Sequence, residues 1–379
     1  MINNKKAAPK SRFAPPIWVW VAYALALISA TVTLIATARP DFAAFFNRYI
    51  SGPIRWLLAK ITCVIPFSLA EFLIITIPIS LALIIISAIR KTEKSLKAIA
   101  LYFIKLFAVC AFVFSLFVFT FGVGYHVPSL YDRFEIPNDG VTAKELESTA
   151  LELVKEINLR TDDVSFSQSR FSSMPYTLDQ MNDKLLDAYK PISQKYDFVQ
   201  SFRSKIKPVM LSVPMSYSHT TGIYTFFTGE ANLNVDFPDY TLPFTAAHEL
   251  AHQRGIARED EANFIAFLVG IGSGDAYIEY CAYINMFEYV ASALYKADSD
   301  AFVEAYSLLS DKAKGELRAY SAFFDKYRES KVGEVSSAIN NAYLVANGNP
   351  EGTKSYGLVV DLAVAYFNGE FDKNAVNTN

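Results

Sequence analysis

The sequence predicts a multi-pass α-helical membrane anchor followed by a soluble α+β domain that is mostly helical. Three long apolar runs fall within the first 125 residues. Each run is long enough to cross a hydrocarbon core of about 30 Å, which needs around 20 apolar residues. The rest of the chain, about 250 residues, is long enough to bury one sizeable core. We therefore divide the chain into a membrane region, residues 1–125, and a soluble domain, residues 126–379.

The three predicted transmembrane helices cover about residues 17–38, 69–89 and 98–122. The first run differs from a cleaved signal peptide, because its apolar stretch is longer and lacks a clear small-residue cleavage site. The third is interrupted only by Lys105, whose long side chain can snorkel or line the bundle. A single run of this kind is also compatible with a buried soluble helix, but three together favour a membrane. Between the first two, Phe42–Pro66 mixes aromatic and basic residues and can lie along the membrane surface.

Basic residues predict the orientation of the anchor, because lysine and arginine concentrate on the cytoplasmic side of a membrane. Eight lie in the N-terminal tail and in the loop after the second span, and six lie on the opposite side. We therefore expect a bacterial plasma-membrane protein with a cytoplasmic N-terminus and an extracytoplasmic C-terminal domain. The first set is Lys5, Lys6, Lys10, Arg12, Arg90, Lys91, Lys94 and Lys97, and the second is Arg39, Arg48, Arg55, Lys60, Arg133 and Lys144.

The net charge of −3 and the pI near 5.9 argue against a general nucleic-acid binder, so we expect the lipid bilayer as a partner and no nucleic acid. Only one of the three cysteines, Cys281, lies in the soluble part, which therefore cannot form an internal disulfide.

The soluble domain is predicted to be helical at both ends, with strands in the middle. Val209–Val213 and Thr221–Phe227 are rich in β-branched and aromatic residues and are predicted strands. Thr228–Val235 is predicted to be an edge strand or a turn. The predicted helices are Ala143–Leu159, residues 178–206, Tyr277–Ala297, Ser299–Ser310, Lys312–Ser330 and Tyr356–Phe367.

Two of the four histidines flank a glutamate in a His-Glu-x-x-His motif. His248 and His252 are four residues apart, so in a helix they share one face and their imidazoles can converge on one point. This spacing supplies two of the three protein ligands of a catalytic zinc. Glu249 then projects beside the metal, where its carboxylate can take a proton from water. A chance match on an amphipathic helix is the alternative, and a third ligand would favour the metal.

The third ligand is expected among three consecutive acidic residues downstream of the motif. We expect Glu259 to be the ligand, with Glu261 and Asp260 as alternatives. Glu261 lies about 200° away around the helix from Glu259 and would face elsewhere. Asn263, four residues after Glu259, could brace a zinc-binding histidine. Acidic residues in a first helical turn also suit the helix dipole, which is the ordinary structural explanation for the cluster.

These residues resemble the zincin metallopeptidases, and more closely their gluzincin branch. There the second helix commonly offers Glu-x-x-Ala-Asp/Asn, whose glutamate is the third ligand. The chain departs from the metzincin pattern, because position 258 is arginine where that group has its third histidine. Thr228–Asn234 together with His248–Phe264 is similar to the signature of a bacterial family of membrane proteins, domain-of-unknown-function family 3810. That resemblance spans nearly the whole chain and implies a zincin-like domain on a membrane anchor.

We therefore predict a membrane-anchored zinc metallopeptidase with Zn²⁺ as its cofactor and an unidentified extracytoplasmic peptide or protein as its substrate. Glu230, Asn232 and Asn234 alternate to one face of a possible edge strand and could contact a bound peptide. Further candidates for polarising a scissile carbonyl are Tyr217, His219 and Tyr224.

Two other functions are compatible with the same motif. The first is a non-catalytic membrane scaffold or sensor that retains a zinc-binding zincin fold. The second is an intramembrane protease, which is disfavoured because charged residues crowd around the motif and are costly in hydrocarbon.

Overall fold

The computed structural model describes residues 14–91, 96–136, 140–349, 352, 354 and 358–371. The basic residues of the N-terminal tail, Lys94 and the first residues of the helix predicted from Tyr356 lie outside these described residues.

Two long apolar helices, α1 (Ile17–Ala38) and α5 (Leu96–Thr120), pack against each other in the N-terminal region. Both are long and apolar enough to cross a membrane, and most of their side chains are not buried within the protein. They coincide with two of the three predicted spans. The remaining predicted span, residues 69–89, coincides with α4 (Leu69–Lys91), whose described apolar part is Leu69–Leu83, and its crossing of a membrane stays a prediction.

A short helical connection joins α1 to α4. It consists of α2 (Pro40–Phe46), a π-helical turn (Asn47–Ser51) and α3 (Gly52–Cys63). Trp56, Leu57 and Ile61 are largely exposed on α3, whereas Arg55 is completely buried. Helix α3 therefore has an exposed apolar side and a charged side chain on its buried side, and its position along a membrane surface stays a prediction.

The C-terminal part is a helical assembly around α12 (Ala276–Ala297). Its apolar face packs on neighbouring helices in one continuous core that includes Leu153, Phe264 and Tyr280. The other helices are α6 (Leu130–Phe134), α7 (Ala143–Arg160), α8 (Leu178–Lys195), α9 (Ser212–Ser216), α10 (Leu242–Gln253), α11 (Glu259–Ile271), α13 (Ser299–Ser307), α14 (Asp311–Arg328), α15 (Lys331–Ala346) and α16 (Val359–Phe367).

Most predicted helices of this part are confirmed with boundaries close to those expected, but the helix predicted over residues 178–206 is too long. It ends at Lys195, and Asn182 then holds the returning loop through the Ser204 carbonyl and the Ile206 N–H. Helix α15 was not predicted. Few of its residues are buried, and the apolar side chains that recur at helical spacing, Val332, Val335 and Ile339, are exposed.

The sheet has three strands, β1 (Lys207–Pro208), β2 (Gly222–Thr225) and β3 (Glu230–Leu233), in the order β1-β3-β2. Strand β2 is antiparallel to β3, and β1 is parallel to it. The strand prediction for Val209–Val213 is wrong, because the chain leaves β1 at Pro208 and enters α9 at Ser212.

The edge-strand prediction for Thr228–Val235 is also wrong. Strand β3 occupies the centre of the sheet because β1 pairs with its second side, through partners as distant in sequence as Lys207 and Asn232. The edge beside α10 belongs to β2.

Candidate metal centre

The motif helix α10 is buried along its whole length, and it turns sharply into α11. Gly255 has φ +99°, a conformation that side chains other than glycine rarely adopt. A Cβ at this position would also lie 2.3 Å from Nη2 of Arg55. Because this turn is so short, the last turn of α10 and the first turn of α11 lie side by side.

The turn brings three candidate ligand atoms together. Nε2 of His248 and Nε2 of His252 are 3.0 Å apart, and Oε2 of Glu259 lies 3.2 Å and 3.4 Å from them, respectively. Four ligands at about 2.0–2.1 Å around a tetrahedral zinc are roughly 3.3 Å from one another. Two imidazoles and one carboxylate at these separations therefore fit three corners of a zinc site. Among the described residues, one group of three or more histidine, cysteine or carboxylate side chains could hold a metal ion, and it consists of His248, His252 and Glu259.

The ring of His252 is oriented by its second nitrogen. Nδ1 lies 2.7 Å from the carbonyl oxygen of Ile256, and a carbonyl can only accept, so Nδ1 carries the proton. Nε2 is left to face the other two ligand atoms, which is the arrangement that a metal-binding histidine commonly uses.

Electrostatics at this cluster favour a positive charge. Burial works to lower the pKa of His252, but the carboxylates of Glu259 and Glu249 raise it to about 9. Burial likewise opposes the charged form of Glu259, yet His252 and His248 hold the pKa of its carboxyl well below its usual range. Either a proton or a metal cation can supply the charge that the carboxylates demand.

Glu249 lies beneath the edge strand of the sheet. A Cβ at Gly222 of β2 would lie 2.6 Å from Oε1 of Glu249 and 2.8 Å from the Thr245 methyl, so only glycine lets the strand pass this closely. Burial raises the pKa of Glu249, although His248 and His252 act in the opposite direction. The carboxylate is therefore enclosed beside the histidines, where a perturbed pKa is typical of functional sites.

Residues from the N-terminal region complete the walls of the site. The ring of Phe121, just after α5, packs edge-on against His252 with centroids 5.8 Å apart. Asn47 donates from Nδ2 to the Gly255 carbonyl at 3.0 Å, so the turn between the two site helices is held from the connection after α2. The predicted division between residues 125 and 126 consequently passes through a packed cluster, and the purified C-terminal part alone would lack these contacts.

An aromatic cover lies over the same face. Tyr125 hydrogen-bonds through its hydroxyl to the hydroxyl of Tyr343 on α15 at 3.2 Å, and Tyr125 packs against Phe121 while Tyr343 packs against Phe117. Sequence reasoning missed these aromatic residues, because rings at the end of an apolar helix resemble the ordinary aromatic belt of a membrane protein.

The alternative ligand Glu261 points away from the cluster. Its carboxylate accepts the Leu130 N–H at 2.9 Å and is 2 % exposed, and burial and the nearby Asp260 raise its pKa. Asp260 is not part of the three-residue group either. Among the three acidic residues, the structure therefore brings only Glu259 to the histidines.

Asn263 is buried, as a bracing residue would be, but it contacts the hydroxyl of Tyr289. Nδ1 of His248 is buried with no hydrogen-bond partner among the described residues. The expected bracing of a histidine by Asn263 is therefore not seen in the structure.

The three residues expected to contact a peptide substrate are used inside the protein instead. Glu230 accepts the N–H groups of Leu69 and Ala70 at 3.1 Å and 2.8 Å. Asn232 accepts the Ser68 hydroxyl at 2.6 Å, and Asn234 donates to the Thr220 carbonyl at 2.9 Å. All three are no more than 2 % exposed, because β3 is a central strand and not an edge. The expectation that they face a substrate is wrong.

The remaining tyrosine and histidine candidates lie at different distances from the centre. Tyr217 and His219 pack against α14, where His219 is 2.6 Å from the Tyr327 carbonyl. Tyr224 of β2 packs against Phe121, and its buried hydroxyl has no hydrogen-bond partner among the described residues. Of these three, Tyr224 is thus the residue beside the metal centre.

These observations define a mostly helical protein with two apolar helices, a small mixed sheet and a buried histidine–carboxylate cluster. The chain belongs to the family described as protein of unknown function (DUF3810), whose model matches residues 46–364. The match begins at the end of α2 and so includes Asn47, Arg55 and Phe121 as well as the motif. No curated protein and no solved structure matches the chain.

Proposed function

We propose that this protein is a membrane-anchored zinc metallopeptidase of the zincin type. The observation that carries the proposal is the convergence of one carboxylate oxygen and two imidazole nitrogens within 3.0–3.4 Å of one another, with Glu249 beside them. A purely structural helix has no need of a carboxylate between two histidines that face one point.

Zinc would be held by Nε2 of His248, Nε2 of His252 and Oε2 of Glu259, which leaves a position for substrate or water. When bound, zinc supplies Lewis-acid polarisation of a carbonyl and acidifies water. Glu249 would accept the proton of the attacking water on its carboxylate and deliver it to the leaving amine. The edge of β2 passes over Glu249 and offers backbone groups with which an extended peptide can pair as an added strand.

The decisive experiment uses the full chain in detergent, because residues before 126 form part of the site. We expect one zinc per chain after metal-replete purification at neutral pH, and loss of that zinc in His248→Ala and His252→Ala. The wild-type protein should cleave peptides of a mixed library, and a chelator should abolish this cleavage. If the protein contains no stoichiometric zinc, the assignment of the metal ligands is wrong. If cleavage persists in the presence of the chelator, the zinc-dependent mechanism is wrong.

We further propose that α1, α4 and α5 cross the plasma membrane, with the N-terminus in the cytoplasm and the metal centre outside. Two observations support this topology. The apolar side chains of α1 and α5 are exposed, and more basic residues lie on the predicted side of the N-terminus than on the opposite side of the membrane. A reporter fused to the C-terminus should be active only outside the cytoplasm. Activity of a cytoplasm-dependent reporter at the same position would reverse the topology.

A non-catalytic scaffold or sensor is the second candidate, and the closure of the site favours it. His248, Glu249, His252 and Glu259 are no more than 9 % exposed beneath the aromatic cover. Full biological complementation by a Glu249→Gln variant, together with no cleavage by any zinc-loaded form, would select this function over the enzyme.

A further inference from the structure

A second polar site lies between the connection after α2 and the loop after α8, and two of its lining residues, Asn47 and Arg55, also contact the turn at Gly255. It is a cavity of about 200 Å³, and a water molecule in the liquid occupies about 30 Å³, so it has room for a small polar group. We call it the arginine pocket, because three arginines line it. They are Arg48, Arg55 and Arg133, and Phe45, Tyr49 and Gln200 also contribute to the walls.

Arg55 is a buried cation without an anionic partner. It is 0 % exposed, and its acceptors are neutral: Nη1 donates to Oδ1 of Asn47 and to the Thr120 carbonyl, both at 2.8 Å, and Nη2 donates to the Asn47 carbonyl at 3.0 Å and to Oε1 of Gln200 at 3.5 Å. Among the described residues no carboxylate pairs with it, and its Nε has no hydrogen-bond partner. Burial lowers the pKa of Arg55 to about 10. An uncompensated buried charge is strongly unfavourable, so a bound anion would stabilise this arrangement.

The other two arginines add positive charge at the mouth of the pocket. Arg48 is paired with Asp197, and both side chains are substantially exposed, so this ion pair can rearrange at little cost. Arg133 donates from Nε to the Pro128 carbonyl at 3.1 Å and lies over the Phe198 ring, which leaves its terminal nitrogens available. Asp197 is the one carboxylate among the residues that line the pocket, while Glu261 and Asp132 also act on Arg133 from outside it.

The position of the pocket relates it to the two apolar helices. Arg55 contacts Thr120, the last residue of α5. Phe45 and Tyr49 follow the end of α1, and their rings contact each other at a tilted angle with centroids 5.2 Å apart. Half-exposed aromatic rings beside basic side chains at the ends of apolar helices are typical of the headgroup level of a membrane.

We propose that the arginine pocket binds a phosphate anion. The planar donors of arginine match phosphate oxygens in pairs, and a phosphate has enough oxygens to be shared by more than one guanidinium. A lipid headgroup and free inorganic phosphate carry the same chemistry, and the experiment separates them.

The test measures binding to the full chain purified in a zwitterionic detergent. The probes are dihexanoyl phosphatidylglycerol and inorganic phosphate, each at matched ionic strength. We expect saturable binding that weakens about tenfold or more in Arg48→Gln and in Arg133→Gln, because each removes a charge-assisted contact. Arg203→Gln is the matched control, since Arg203 is an exposed arginine paired with Asp183 outside the pocket.

Binding of the lipid alone would identify a headgroup site, and binding of both probes would identify a site for phosphate itself. Either result supports the proposal if the two pocket variants weaken it and the control does not. Absence of saturable binding by both probes, or equal binding by the wild type, Arg48→Gln and Arg133→Gln, would overturn it. The test uses Arg48 and Arg133 and not Arg55, because Arg55 is completely buried and its substitution could prevent folding.

Discussion

Two buried polar clusters near each other in the fold differ in where their polar groups point. In the β3 cluster, Glu230, Asn232 and Asn234 each end on a backbone or hydroxyl partner inside the protein. In the metal centre, the polar atoms of His248, His252 and Glu259 instead face one another, and Nδ1 of His248 has no hydrogen-bond partner among the described residues. Polar groups that are all hydrogen-bonded to partners inside the protein stabilise the fold. Polar groups whose lone pairs converge on one point are instead suited to binding a ligand.

The largest effect that this comparison predicts is on turnover. Glu249→Gln keeps the shape of the side chain but cannot accept a proton, so cleavage should fall by about 10²–10⁴-fold while zinc content and fold are retained. The measurement is the rate of peptide cleavage by zinc-loaded protein, with Glu261→Gln as a control, since Glu261 is a buried glutamate outside the cluster. An unimpaired rate in Glu249→Gln would remove this residue from the mechanism.

The next effect is on metal affinity. Glu259→Gln removes the anionic member of the cluster and should weaken zinc binding by about 10–100-fold or more, as measured by competition with a chelator. Glu261→Gln should leave the affinity unchanged, because the Glu261 carboxylate contacts the Leu130 N–H instead. The opposite ranking of the two variants would mean that α11 presents its other face to the histidines.

A smaller effect should separate the structural cluster from the functional one. Glu230 accepts two N–H groups at the start of α4, where the positive end of the helix dipole favours a carboxylate. Glu230→Gln should therefore lower the free energy of unfolding by about 1–3 kcal/mol and leave zinc stoichiometry unchanged. Denaturant titration and metal analysis of the same preparation measure both quantities, and loss of zinc without loss of stability would make Glu230 part of the metal centre.

A carboxylate outside both clusters provides a pH-dependent comparison. Burial, and then the charge of Glu316, raise the pKa of Glu288 from 4.5 to about 7. Between these two pH values the folded state therefore holds a proton on Glu288 that the unfolded state releases. The protonated Glu288 contributes fully to stability below pH about 4.5, and this contribution is lost as the pH rises through about 7.

Glu288→Gln removes that titration. The variant should match the wild type near pH 4 and be more stable by about 1–3 kcal/mol at pH 8, as measured by thermal unfolding across this range. If the stabilities of the two proteins differ by the same amount at both pH values, Glu288 does not titrate in this way.

Much of the candidate metal centre could be predicted because its geometry is local. The four-residue spacing of His248 and His252 and the register of Glu259 against Glu261 follow from helical periodicity alone. The structure brings the same three residues together, and it places Glu261 on the other side. Helices α7, α12 and α14 were predictable for the same reason, since their apolar periodicity repeats within a few turns.

The sequence by itself determined which side chains could meet within α10 and α11, and which runs were apolar enough to be membrane helices. Only the tertiary structure decided that β3 is central, that Phe121 and Tyr343 cover the site, and that Asn47 holds the turn at Gly255. These contacts join residues far apart in the chain, 208 positions in the case of Asn47 and Gly255. Periodicity carries no information at that range, because such pairings depend on how whole elements pack and not on the spacing within any one of them.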